Sequence, residues 1–542
     1  MAEPISDITE VEWQYEALDG KPVIRWLREQ TVAGFQVTPG PIKDVRDTYY
    51  DTADWRLNRA KYTCRVRQKA AGAELTLKGM AEIKDGLRSR RELTEALPAG
   101  MSSPADAAGA AGELIKVVAG RMPVEALFMV VQHRETFILA DGAGELGEVT
   151  VDDTLIPSDD AGTSTRLTRI EVEVDGGAVD RAKPFVTALV AATSLRPAKE
   201  SKFEAGLAAT GKRPAGPEHT LGSATVDAAM TAANVAYAIM RKHFAVFLAN
   251  EPGTRAGEDI EALHDMRVAA RRLRAGMQAF RPWLPARLET FRAQLGWVAA
   301  ALGEVRDLDV QIERMDEWRV GMDPARAATL DALQAVLEVQ RRLARRRMLA
   351  VLDSKRYESV VTRFAELLRR GAPASFLAGR PPIVECAPGL LRQRYRRFRK
   401  GGDLITPASV PDAYHALRIE AKKLRYALEF VGPIYGKPAT DFAVRVTAIQ
   451  DILGLHQDAE VAQTMLADIA RAHGRRLGTD TVLTMGAISE RYRAHAVELR
   501  GQFPKAYRGL RGKPWAELVK ATAALQPAPA KPQKAPKAAP PA

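Results

Sequence analysis

Two pairs of glutamates, Glu10/Glu12 and Glu171/Glu173, each stand two residues apart inside short alternating segments. Residues at i and i+2 of a strand point to one face, so each pair presents two carboxylates side by side. Two such faces brought together make an oxygen-rich site suited to Mg²⁺ or Mn²⁺. Between the pairs lie Arg65 and Arg67, then Lys78 two residues after Thr76, then Arg134. Carboxylates for a hard cation plus several fixed positive charges are what a polyphosphorylated substrate requires. The metal bridges phosphate oxygens while the cations neutralise developing charge. The plainer alternative is an ordinary sheet on which Glu and Arg are cross-strand pairs in solvent.

A second constellation is cationic. His264, Arg267, Arg271 and Arg274 follow at i, i+3, i+7 and i+10, with Arg272 beside them, and the pattern returns 151 residues later as His415, Arg418, Lys422 and Arg425, with Lys423. This spacing lays the charges along one face of a helix, a ridge about 15 Å long at 1.5 Å rise per residue. The opposite faces are apolar: Met266, Ala270, Leu273 and Met277, matched by Leu417, Ala421, Leu424 and Leu428. Cations so arranged repel one another unless an anion lies along them, and arginine binds phosphate oxygens bidentately. The alternatives are a solvated face, or ion pairs with Asp307, Asp309, Asp458 and Glu460. Those acids belong to a second repeated motif, Leu-Gly-x-x-x-Asp, which reads as caps and structural partners of the arginines rather than as metal ligands. Arginines 341, 342, 345, 346 and 347 and the run 392–400 add charge; Tyr395 and Phe398 within that run fit either base stacking or core anchoring.

These groups need two kinds of scaffold. Up to about residue 205 the chain reads as strands punctuated by Gly, Asp and Pro, with helices expected over 105–119 and 183–193. Residues 206–223 are rich in Gly, Pro and Ala and read as a linker. From about 224 to 525 the pattern is helical, and the ungapped 151-residue repeat implies two related bundles packed as a pseudo-symmetric pair. Residues 526–542 are Pro/Ala/Lys low complexity and read as a disordered tail.

The charge divides along the same line. The 542 residues carry a formal net charge of +12, with 26 basic and 33 acidic side chains in 1–205 against 53 and 34 in 206–542. An acidic first part joined to a strongly basic remainder points to a polyanionic partner for the latter. Only Cys64 and Cys386 occur, far apart, which argues against a disulfide framework or a structural zinc site. An acidic N-terminus without an apolar run, and no apolar stretch of about 18 residues, read as a cytosolic chain with no membrane partner.

The first 205 residues resemble a CYTH domain, the triphosphate tunnel metalloenzyme fold. The resemblance rests on Glu10-Val-Glu12-Trp-Gln14, on Tyr49-Tyr50-Asp51-Thr52, on Arg65-Val-Arg67, on Thr76-Leu77-Lys78 and on Glu171-Val-Glu173. Arg90-Arg91-Glu92, Arg134, Asp152 and Lys199-Glu200-Ser201-Lys202 also follow the pattern. Residues from about 225 to 525 resemble a CHAD domain through HDMRVAARRLR and HALRIEAKKLRYALEF. The resemblance implies a two-domain α+β chain: an eight-stranded antiparallel β tunnel barrel, then an all-α domain. Glu10, Glu12, Glu171 and Glu173 would be catalytic and, with Asp152, hold Mg²⁺ or Mn²⁺. Arg65, Arg67, Lys78, Arg91, Arg134, Lys199 and Lys202 would cradle phosphates. The helical ridges would bind inorganic polyphosphate, with granules as a possible location in the cell.

The expected function is therefore polyphosphate binding with a metal-dependent inorganic triphosphatase in the tunnel. One departure bears on it. Gln14 replaces the lysine of the family's ExExK, removing a tunnel cation and implying attenuated binding or catalysis. The competing expectations are a non-enzymatic polyphosphate-granule scaffold and a nucleic-acid binder.

Overall fold

A computed structural model describes residues 6–29, 32–69, 72–84, 86–97, 103–158 and 164–526; the expected tail beyond 526 lies outside the described residues. The chain forms two units, Met1–His219 with Leu248–Leu263, and Thr220–Phe247 with His264–Ala542.

In the first unit the strands are β1 (Ser6–Ala17), β2 (Phe35–Thr52), β3 (Tyr62–Lys69), β4 (Gly72–Gly79), β5 (Glu82–Lys84), β6 (Leu87–Leu97), β7 (Val124–Asp141), β8 (Gly144–Pro157), β9 (Ser164–Val174) and β10 (Arg196–Pro197). Eight of them, in the order β1-β9-β8-β7-β2-β3-β4-β6, close into an antiparallel barrel because β6 returns to pair with β1. The short strands β5 and β10 pair onto β6 and β1.

Five helices complete the unit: α1 (Lys21–Glu29), α2 (Arg56–Arg59), α3 (Ala110–Ala119), α4 (Val179–Thr193) and α5 (Lys202–Ala209). α1–α4 cover the barrel's outer wall, where two apolar cores lie, whereas α5 packs on Tyr49 and Phe128, which share the face of Arg65. Val11, Trp13, Val149, Val172 and Phe185 form one core, and Cys64, Val66, Leu77, Leu93 and Ile115 another. The strand period of two then sends the alternate, polar residues into the lumen.

The helix expected over 105–119 is a 3-10 turn at Pro104–Asp106 followed by α3. Between them Ala107 is extended, and its carbonyl lies so close to Gly112 of α3 that a Cβ there would come within 2.2 Å of it. The helix expected over 183–193 begins earlier, at Val179, and carries Pro184 inside it. α1 escapes sequence reading because only Val23 and Leu27 of its nine residues are buried.

The remaining helices are α6 (Ala232–Ala256), α7 (Ile260–Ala279), α8 (Leu288–Arg319), α9 (Pro324–Ala328), α10 (Leu330–Leu352), α11 (Lys355–Arg370), α12 (Ile383–Gly402), α13 (Pro411–Tyr435), α14 (Lys437–Leu477), α15 (Thr479–Arg508) and α16 (Lys513–Ala524); they build the second unit except for Leu248–Leu263, the end of α6 and the start of α7, which belongs to the first. The repeat is visible in the helix starts: Ile383 and Pro411 stand 151 residues after Ala232 and Ile260. The apolar faces expected on α7 and α13 are buried at all eight positions. The two repeats share a core in which Met315 and Trp318 of α8 and Leu333 of α10 meet Leu466 of α14 and Ile488 of α15. Tyr395 and Phe398 are core residues, Tyr395 stacking on Trp515 with ring centroids 3.9 Å apart, which removes the base-stacking reading for them. Among the described residues no helix is long and apolar enough to cross a membrane.

Candidate functional site

The barrel's register brings the two glutamate pairs together. Glu12 lies opposite Glu173 and Gln14 opposite Glu171 across the β1–β9 ladder, while Glu10 lies opposite Arg90 across β1–β6. Glu10, Glu12 and Gln14 are all buried. Lys78 Nζ reaches Glu10 at 2.6 Å, and Arg90 spans the pair, 2.5 Å from Glu10 and 2.6 Å from Glu12. Gln14 donates to Glu12 at 2.7 Å and to Glu171 at 3.3 Å, so the amide sits between two carboxylates as a lysine would, without the charge.

Across the lumen, Arg134 holds both oxygens of the fully buried Asp152 at 2.7 and 2.6 Å and lies 3.3 Å from Glu171. Lys202, the first residue of α5, also pairs with Asp152 and with Glu171 at 3.1 Å. Its position is set by a capping box in which Ser201 and Glu204 satisfy each other's backbone N–H groups. On a third side Arg67 grips Asp47 at 2.8 and 2.9 Å, Gln132 donates to the same carboxylate at 2.8 Å, and Arg65 lies 3.5 Å away. α5 closes this interior on one side: Phe203 packs on Tyr49 and Phe128, and Gly206 touches Phe128 where a Cβ would clash at 2.0 Å.

The lumen's electrostatics are uneven. Burial raises Glu171, but Lys202, Arg134 and Lys78 outweigh it and hold the carboxyl well below the usual range. Burial and the neighbouring Glu171 push Glu12 up to about 7, and burial with Glu10 does the same to Glu173. Glu173 has no cation within ion-pair distance among the described residues. Buried polar atoms without partners there include Gln14 Oε1, Arg65 Nε, Gln132 Oε1, Thr150 Oγ1 and Arg169 Nε, and such atoms are costly unless a ligand or water reaches them.

Among the described residues no three Asp, Glu, His or Cys side chains form a ready coordination shell. The donor set is nevertheless made of hard oxygens, and two of its carboxyls, Glu12 and Glu173, are raised by burial and by neighbouring carboxylates, a strain that a bound cation would relieve. That chemistry fits a hard divalent ion.

Two expected site residues need correction. Arg91 faces outward and pairs with Asp7 at 2.7 Å and with Glu258; its neighbour Arg90 takes the lumen, because β6 alternates Arg88, Arg90 and Glu92 inward. Lys199 is exposed beyond β10 and only its backbone N–H meets Glu16. Asp152 is paired with Arg134 and Lys202, as Glu10 is with Lys78 and Arg90. Asp47, Gln132 and Arg90 were missed, although the period of two counted back from Glu92 singles out Arg90.

In the helical unit the two ridges face each other. Burial, then Arg418 of its own helix and Arg271 of α7, push Lys422 down to about 7, with Asp458 opposing and Arg267 adding to the fall. Arg418 is lowered by burial and by Arg271 and Arg267, again against Asp458. Internal neutralisation is partial. Arg267 pairs with Asp307 at 3.1 Å, Arg272 and Arg425 share Glu429 at 3.3 and 3.2 Å, and Lys423 takes Glu420 at 2.6 Å. The other expected acids serve different arginines: Asp309 takes Arg341, Asp458 lies 3.6 Å from Arg314, and Glu460 lies 2.9 Å from Arg500. The Nε atoms of Arg271, Arg272, Arg274 and Arg418 are buried with no hydrogen-bond partner. His415 faces Gln457 at 2.5 Å, and His264 is half-buried at the start of the other ridge.

A closed barrel with a charge-lined interior, followed by a duplicated helical unit with facing basic ridges, is a two-module protein. The CYTH domain family matches residues 25–207 and the CHAD domain family residues 238–467, so the chain has the CYTH–CHAD architecture. An uncharacterized protein of Mycobacterium tuberculosis is 26% identical over 520 residues, covering 89% of this chain and 93% of that one. Among solved structures, the CHAD domain from the plant Ricinus communis is 22% identical, covering 54% of this chain and 97% of that one, with a TM-score of 0.46. A Hippeastrum putative adenylyl cyclase described as having a dominant triphosphatase activity is 16% identical, covering 38% and 97%, with a TM-score of 0.28.

Proposed function

We propose that the barrel is a metal-dependent inorganic triphosphatase and that the facing ridges of α7 and α13 bind inorganic polyphosphate. The observation that carries the first half is the lumen itself, where six cations (Arg65, Arg67, Lys78, Arg90, Arg134 and Lys202) stand among carboxylates of which Glu173 has no cationic partner. Glu10, Glu12 and Glu173, with Glu171 beside them, would hold Mg²⁺ or Mn²⁺, whose positive charge would offset that of the phosphates. Arg65, Arg67 and Arg134 bind and orient the phosphates, and Lys78 and Lys202 supply point charges to the equatorial oxygens. The aromatic plug of Phe203, Tyr49 and Phe128 excludes water from one side. Gln14 keeps a hydrogen bond to Glu12 but leaves the lumen one cation poorer, which predicts attenuated turnover.

The test is phosphate release from inorganic triphosphate with Mg²⁺ or Mn²⁺. Turnover is expected to disappear in Glu10→Ala and Glu173→Ala and to rise in Gln14→Lys. A non-enzymatic polyphosphate binder is the second reading, favoured by the ion pairs that already occupy Glu10, Glu12 and Glu171. Absence of turnover in both the natural chain and Gln14→Lys, with polyphosphate affinity retained, would establish it. Displacement of bound RNA by excess polyphosphate separates either reading from a nucleic-acid binder.

A further inference from the structure

The run 392–400 does more than extend the basic surface. We propose that the cleft between α12 and the start of α16 binds a nucleoside polyphosphate, Arg392, Arg396 and Lys400 taking the phosphates and Trp515 the base.

The cleft has a volume of about 480 Å³ and is lined on one side by Arg392, Arg396, Arg399 and Lys400 and on the other by Trp515. Positions 392, 396 and 399 follow at helical spacing, so these cations converge on one groove. Arg392, Arg396 and Lys400 form no ion pair or side-chain hydrogen bond among the described residues. Arg399 is engaged, 2.9 Å from Asp403, yet its Nε is buried without a partner. Asp403, the cleft's carboxylate, also accepts from Arg511 and from Tyr507 at 2.6 Å, so it cannot balance the remaining three charges. Trp515 is half-exposed and stacks one face on Tyr395 at 3.9 Å, which fixes the indole plane at the cleft wall.

The 151-residue repeat supplies a control within the molecule. Arg241, the counterpart of Arg392, is spent on structure: it donates to the Leu368 carbonyl at 3.0 and 2.7 Å and to the Ser223 carbonyl at 3.1 Å. Arg396, Arg399 and Lys400 stand where the first repeat has Ala245, Leu248 and Ala249. The second repeat therefore holds cations that its own fold does not require. A long anion is better served by the continuous ridges, whereas a shallow, open cleft edged by a fixed indole fits a compact ligand that pairs several phosphates with a flat ring.

The experiment follows Trp515 directly. The full chain is labelled with 5-fluorotryptophan, its Trp515 resonance is assigned with Trp515→Phe, and it is titrated with adenosine triphosphate and, separately, with inorganic triphosphate. Adenosine triphosphate is expected to shift the Trp515 signal, with inorganic triphosphate at least about tenfold weaker at the same resonance. Arg392→Glu/Arg396→Glu, both at exposed positions, should raise the half-saturating concentration at least about tenfold while the other tryptophan signals stay in place; Lys400→Glu should act in the same direction. An unmoved Trp515 signal, a charge-reversed variant that titrates like the natural chain, or inorganic triphosphate binding as tightly as adenosine triphosphate would each overturn the proposal. Both titrations are run in EDTA, so that metal-dependent turnover in the barrel cannot deplete the titrant and the outcomes do not depend on it.

Discussion

The barrel lumen and the paired ridges are both rich in cations, but they hold their charge in opposite ways. In the lumen cations alternate with buried carboxylates, so Arg67 finds Asp47, Arg134 finds Asp152 and Lys78 finds Glu10 within about hydrogen-bond distance. On α7 and α13 cations face cations, and Lys422 is driven toward neutrality by Arg418 and Arg271. Burying a charge in a closed lumen demands a partner. A ridge on a helical surface can leave its charges partly to solvent and wait for a polyanion. The lumen is thus organised without its ligand, whereas the ridges carry repulsion that a ligand relieves.

The largest effect expected from this contrast is on stability. Asp47→Ala removes a buried carboxylate and strands Arg67, Arg65 and Gln132, at a cost of about 3–5 kcal/mol in urea unfolding of the full chain. The ridges should behave in the opposite sense: Arg271→Ala/Arg418→Ala should leave the unfolding midpoint unchanged or higher. The same double variant should weaken polyphosphate binding, with a salt dependence shallower by about one unit of slope per cation removed. Equal destabilisation by the two changes would break the comparison.

A smaller effect concerns pH. In the free protein Lys422 is lowered to about 7, below the lysine value of about 10.4. The unfolded chain therefore binds this proton more tightly, and the stability tied to this group rises as pH increases from about 7 toward 10. A bound polyanion raises the folded pKa, so binding takes up a proton and polyphosphate affinity falls over the same range, by at most about tenfold per pH unit for one group. Calorimetry in buffers of different ionisation enthalpy measures this uptake, which Lys422→Met should abolish. The smallest effect is expected at Arg91→Ala, an exposed pair worth about 0–1 kcal/mol with turnover unchanged. Arg90→Ala, one residue away, should abolish any triphosphate turnover; similar behaviour of the two would sink the inward alternation of β6.

Much of this organisation was readable in residue order. The apolar faces of α7 and α13 came from helical period and the 151-residue repeat from motifs recurring at one ungapped offset, and every one of the eight apolar positions is buried. The glutamate pairs were readable because i and i+2 share a strand face whatever the strand's neighbours are. Arg91 was misjudged because a motif of adjacent residues, Arg90-Arg91-Glu92, does not say which face is inward. Asp47 was invisible because its partners Arg67 and Gln132 lie 20 and 85 residues away.

The sequence by itself determined the types of charge, their spacing along each element and the duplication of the helical unit, since these depend only on local period. Tertiary structure alone decided what each charge faces. Barrel closure between β1 and β6 delivered Arg90 to Glu10 and Glu12, and the meeting of α7 with α13 set cation against cation. Coulomb interactions fall with distance in space and burial sets their strength, and neither quantity can be read from separation along the chain.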